Sequence, residues 1–164
     1  MCSKKKRYLL LIGLLVLAIS LFTACAEVEM PDYDAVQKHF EQNKANIYLI
    51  TDYLVSSGYE NVYIDTIDGY MLADLNRILI GDDDVLFAVR QILTSADYLH
   101  IHKQGNTVSL LLWRNDKDVG CGIAYSINNI TEPDIEFMTQ MDPLTADGWY
   151  YYVSDYNKWR TLFS

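Results

Sequence analysis

Two histidines stand two residues apart, at His100 and His102, inside the stretch Tyr98–Lys103. Alternating apolar and polar residues make this stretch a strand, and in a strand residues i and i+2 share a face. Both imidazoles therefore point one way, and Leu99 and Ile101 point the other. Two imidazoles on one face can offer two ligands to a Zn²⁺ ion. A catalytic zinc takes a third protein ligand, and the spacing supplies none, since His39 falls on a distant helix. The pair reads first as two solvent-side histidines and second as a metal site. Cys121 lies between Gly120 and Gly122. A thiol nucleophile needs a base and an electropositive setting; Gly-Cys-Gly reads instead as small residues where another backbone comes close. Asp116-Lys117-Asp118 with Gly120 has the look of a calcium loop, but EF-hand spacing puts a glutamate where Ile127 stands, so it reads as a polar hairpin turn. Asn129-Ile130-Thr131 matches a glycosylation sequon by pattern alone. No nucleophile elbow, phosphate-cradling glycine loop or H-E-x-x-H motif is present.

The densest chemical feature is aromatic. Trp149, Tyr150, Tyr151, Tyr152, Tyr156 and Trp159 put six large rings in eleven residues. On a strand, Trp149 and Tyr151 face one side while Tyr150 and Tyr152 face the other. One side is expected to pack on helices. The other, with Trp113 or Tyr125 nearby, is a candidate ligand-binding surface, because exposed Tyr and Trp give protein hot spots and sugar-stacking platforms. The alternative is that both faces are covered.

These residues need elements to hold them. Asp32 or Asp34 can cap a helix running to about Ser57, with Val36, Phe40, Ile47, Ile50 and Leu54 on one apolar face and Gly58 as its stop. Val62–Asp65 reads as a short strand. Residues 66–81 fit either period. Asp82-Asp83-Asp84 reads as a helix start, where carboxylates cap free N–H groups and meet the positive end of the dipole. The helix then runs from Val85 to about Ser95 and buries Val85, Val89, Ile92 and Leu93. Tyr98–Lys103 and Thr107–Trp113 flank Gln104-Gly105-Asn106 as a hairpin. Val119–Ser126, Ile135–Met141 and Trp149–Val153 are further strands, with Asn128–Pro133 a loop and Asp147-Gly148 a turn. A short helix or turn around Asp155–Leu162 closes the chain. The pattern is α+β: two layers, an antiparallel sheet of about five strands with two main helices packed on one face.

The chain has 164 residues, half of them apolar, which suits one domain with a real core. The charge is unevenly placed. Lys4, Lys5, Lys6 and Arg7 are four of the thirteen basic residues, and every acidic residue lies at Glu27 or later. A chain starting at Cys25 therefore has 22 acidic and nine basic residues, a net of −13. Such a surface repels phosphate, which argues against nucleic acid, and favours basic partners.

Residues 4–7 are basic, Tyr8–Phe22 is an uncharged Leu/Ile/Val-rich run, and Thr23-Ala24 leads to Cys25. This order of zones makes a secretory signal. Leu21-Phe22-Thr23-Ala24-Cys25 resembles the lipobox of bacterial lipoproteins, over residues 1–25 only; Phe22 stands where that family usually has leucine. The resemblance implies cleavage before Cys25 and a diacylglyceryl group on its thiol. Two acyl chains anchor a protein stably, at ~0.8 kcal/mol per buried CH₂. Residues 1–24 are then a signal peptide, 25–31 a lipidated cysteine with a short tether, and 32–164 one globular domain. Ala26–Pro31 reaches about 20 Å at ~3.3 Å per residue. The alternative is an uncleaved anchor, since Tyr8–Ala26 is 19 uncharged residues. Either way the domain stands outside the cytoplasm. Cys121 would be the one thiol left in it, so no internal disulfide can form.

The expectation is a membrane-tethered, non-catalytic domain that binds a basic protein or a cell-wall ligand without a cofactor. Two further readings are a small metal-dependent envelope hydrolase using His100 and His102, and a structural envelope lipoprotein.

Overall fold

In the computed structural model, residues 29–115, 118–128 and 131–163 are described. The expected signal peptide and lipidated Cys25, the core of the sequon at Asn129, and Asp116-Lys117 lie outside them. No helix among the described residues is long and apolar enough to cross a membrane.

The first helix, α1, is Tyr33–Ser56. Asp32 caps it from an extended conformation, its carboxylate accepting the Ala35 N–H at 2.9 Å, and Asp34 adds negative charge to the first turn. Val36, Phe40, Ile47, Ile50, Thr51 and Leu54 form its buried stripe. The chain leaves through Gly58, whose φ of +76° suits a residue without a side chain. Strand β1 (Asn61–Ile64) follows.

Residues 66–81, ambiguous in sequence, form two four-residue strands, β2 (Tyr70–Ala73) and β3 (Asn76–Leu79). They are joined at Asp74-Leu75, both at positive φ (44° and 69°). Two successive left-handed residues are what a tight I′ hairpin demands. Helix α2, Asp83–Thr94, starts on Asp82, whose carboxylate accepts the N–H groups of Asp84 and Val85 at 3.0 and 3.1 Å. It buries Val85, Ala88, Val89 and Ile92, with Leu93 half-buried.

The second half supplies β4 (His100–Gln104), β5 (Thr107–Arg114), β6 (Val119–Ser126), β7 (Met138–Pro143) and β8 (Trp149–Asp155), then helix α3 (Tyr156–Phe163). All strands join one antiparallel sheet in the order β3-β2-β1-β4-β5-β6-β8-β7. The α+β class stands, but the sheet has eight strands rather than about five. The excess comes mainly from the β2–β3 hairpin. At the far edge, β7 starts at Met138 rather than Ile135, because Phe137 sits at φ 56° and breaks the extended run.

One sheet face carries the helices. Ile64, Ile101, Val108, Leu110, Cys121, Ile123, Trp149 and Tyr151 meet the buried stripes of α1 and α2 there. Trp149 is its aromatic centre, with Phe40, Tyr48 and Tyr125 ring centroids at 5.1, 5.9 and 5.1 Å. On the other face Leu111, Ala124 and Tyr152 form a small second cluster with Ile135 and Met141. Ile135 reaches it because β6 and β7 are not neighbours: β8 lies between them, so the segment leading into β7, residues 131–137, passes over the face opposite α1 and α2. The passage is pinned by Ile127 N–H to Asn106 O at 2.9 Å and Asp134 N–H to Thr107 Oγ1 at 2.9 Å.

Candidate functional site

Residues 134–137 of this passage border a cavity of about 490 Å³ against the sheet face that lacks α1 and α2. That is within the range of small-ligand sites, ~300–1,000 Å³. The floor follows from the register. Gln104 pairs with Thr107, His102 with Ser109 and His100 with Leu111, so the two histidines and the two hydroxyl residues fall on one face. Next to them β6 presents Gly120, Gly122 and Ala124, which leave the space that larger side chains would fill. Gly122 has a second reason. A Cβ there would lie 2.1 Å from the Leu110 carbonyl oxygen, where β5 bulges between Leu111 and Trp113. The close backbone approach expected around Cys121 is thus present, one residue on.

The walls are polar and unevenly charged. Asp134 and Glu136 come from the passage, and neither carboxylate joins an ion pair among the described residues. Arg114 lines the opposite end and is held by Asp118 at 2.7 Å. Ile135, Phe137 and Tyr156 add apolar surface. Phe137 meets the rings of Tyr156 and Trp159 edge-on at 4.8 and 5.3 Å, which fastens α3 to the passage.

Two hydroxyl groups open onto this cavity. Ser109 is 7% exposed and Tyr152 4% exposed, both line the cavity, and neither hydroxyl has a hydrogen-bond partner among the described residues. Burial holds the Tyr152 phenol well above its usual range, with the nearby Cys121 thiol adding to it, so it stays a donor.

The expected solvent-side histidines are half-buried in the cavity wall, with the Tyr63 ring 5.0 Å from His100 and 6.0 Å from His102. Burial lowers the pKa of both. For His100, the neighbouring His102 and Arg114 lower it further against Asp65; for His102, Glu136 works the other way. Both rings are largely uncharged at neutral pH, and each can donate and accept. Among the described residues no group of three or more His, Cys, Asp or Glu is arranged to hold a metal ion.

Cys121 is fully buried on the helix side, and burial pushes its thiol up to about 12. A protonated, enclosed thiol is no nucleophile. Its Sγ donates to the Pro31 carbonyl at 3.8 Å, and the Tyr151 hydroxyl donates to the same oxygen at 3.4 Å. Together they fix the start of the domain to β6 and β8.

The fold divides the aromatic run. Trp149 and Tyr151 are in the helix-side core, Tyr150 and Trp159 are half-buried, and Tyr152 and Tyr156 line the cavity. Sequence reasoning passed over Ser109, Asp134, Glu136 and Phe137. Ser109 was within reach, since a tight turn at Gly105-Asn106 already sets it opposite His102. The passage residues carry no such signal, because strand order brings them to the cavity. The chain matches no family model, no curated protein and no solved structure.

Proposed function

We propose that the mature chain is a membrane-tethered binding domain outside the cytoplasm, anchored by lipid on Cys25, whose ligand enters the cavity between β4–β6 and residues 134–137. Ser109 and Tyr152 carry this reading: two largely buried residues whose hydroxyls open onto one cavity, with no protein partner among the described residues, offer a ligand donors and acceptors already in place. The ligand is a basic protein or a cell-wall unit. Net charge favours the first, and a cavity with hydroxyl, imidazole and aromatic groups suits either.

The address and the activity are tested separately. Labelled palmitate should enter the wild-type chain, and a Cys25→Ser variant should take up none and leave the membrane fraction. For binding, immobilised residues 26–164 should retain a specific component of envelope or secreted fractions. A Ser109→Leu variant, which fills the cavity and keeps the helix-side core intact, should retain none of it. Equal retention by a folded Ser109→Leu protein would rule out the cavity as the site.

A metal-dependent hydrolase acting on envelope material remains the second reading, favoured by two uncharged imidazoles on one cavity wall. It requires stoichiometric zinc in the purified protein, lost in His100→Ala.

A further inference from the structure

Resting on that reading, we infer that the group seated in the cavity is an organic cation, an ammonium or guanidinium bearing several N–H donors. The charge distribution favours a cation. Asp134 and Glu136 face the space without counter-charges among the described residues, whereas Arg114, the cation in the lining, is already taken by Asp118. An anion would have to displace that pair while meeting two carboxylates. A cation gains two charge-assisted hydrogen bonds.

The uncharged lining agrees. The oxygens of Ser109 and Tyr152 and a ring nitrogen of each neutral imidazole can all accept from N–H donors. Leu111, Ile135 and the Phe137 and Tyr156 rings border the same space and suit the methylene stem or ring that carries such a group. Two sources share this chemistry: a lysine or arginine side chain offered by a basic protein, and the amine of a cell-wall amino sugar.

The test uses the full chain in detergent, with the His100 and His102 imidazole signals followed by NMR. Probes are the N-acetyl methylamides of arginine and lysine, glucosamine, and as uncharged counterparts N-acetylglucosamine and side-chain-acetylated lysine. The cationic probes should move both signals saturably and the neutral ones should not. The doubly substituted Asp134→Asn, Glu136→Gln protein should bind at least about tenfold more weakly, as expected for losing charged partners. Both carboxylate residues are exposed, so this variant keeps the folded spectrum. Stronger response to the arginine and lysine derivatives assigns a protein source, and stronger response to glucosamine a glycan source. If neutral probes bind equally well, or the double variant binds the cations undiminished, the cation assignment is overturned while the cavity reading stands. If no probe moves either signal but an envelope fraction does, the assignment again falls alone. If neither does, both fall.

Discussion

His100 and His102 tie the cavity to pH. Burial lowers both pKa values from 6.5, so the folded protein resists protons that the unfolded chain accepts. Their contribution is complete above the unfolded value of about 6.5 and declines as pH falls from there toward the lowered folded values. Urea midpoints measured between pH 7.5 and 5.5 should therefore decrease on acidification, and a His100→Gln, His102→Gln protein should show a shallower decline. An unchanged slope would mean the imidazoles titrate freely. Gly122 makes a steric prediction. Its missing side chain accommodates the Leu110 carbonyl, so Gly122→Ala should destabilise by about 1–3 kcal/mol in chemical denaturation, the usual cost of overpacking. Gly58→Ala meets no atom within 4 Å, so any cost there comes from its positive φ alone.

At the scale of elements, capping and hairpin chemistry decided what could be read ahead. Asp32 and Asp82 announce both main helices because a carboxylate before an apolar stripe has few other uses. Removing the Asp82 cap should cost ~1 kcal/mol, seen as a lower thermal midpoint of Asp82→Ala. The β4–β5 hairpin was equally plain from Gly105-Asn106. The β2–β3 hairpin was not, because its turn is Asp-Leu where Asn-Gly or Asp-Gly is usual. Leu75 sits there at φ 69° and is 92% exposed, so the conformation is strained and the side chain buries little. A left-handed residue with a side chain costs ~1–2 kcal/mol. Leu75→Gly should accordingly stabilise the protein by about 1 kcal/mol, with the Asp74 side chain still accepting the Asn61 N–H. Loss of stability on this change would show that Leu75 makes a contact that outweighs its strain. The late start of β7 was hidden for a similar reason, since nothing in Ile135-Glu136-Phe137 marks Phe137 as left-handed.

For the whole molecule, the helix layer could be anticipated and the cavity could not. Alternation assigned Trp149 and Tyr151 to one face, and burial of Trp149 among Phe40, Tyr48 and Tyr125 makes it a keystone of the core. Trp149→Ala should cost ~3–5 kcal/mol, enough to unfold much of a domain whose whole stability is ~5–15 kcal/mol. The cavity depends instead on β8 entering the sheet between β6 and β7, which leaves residues 134–137 on the opposite face. No local pattern encodes that order. The most direct measurement of occupancy is thiol protection in residues 26–164. Cys121, fully buried, stays silent toward a maleimide, so a cysteine placed at Ser154 on the cavity wall reports alone. A second protein with Ser56→Cys, exposed at the end of α1, serves as control. Adding the envelope or secreted fraction that supplies the ligand should slow labelling at position 154 and leave position 56 unchanged. A fraction that the immobilised domain demonstrably retains, yet that leaves the position 154 rate unaltered, would contradict binding through this cavity.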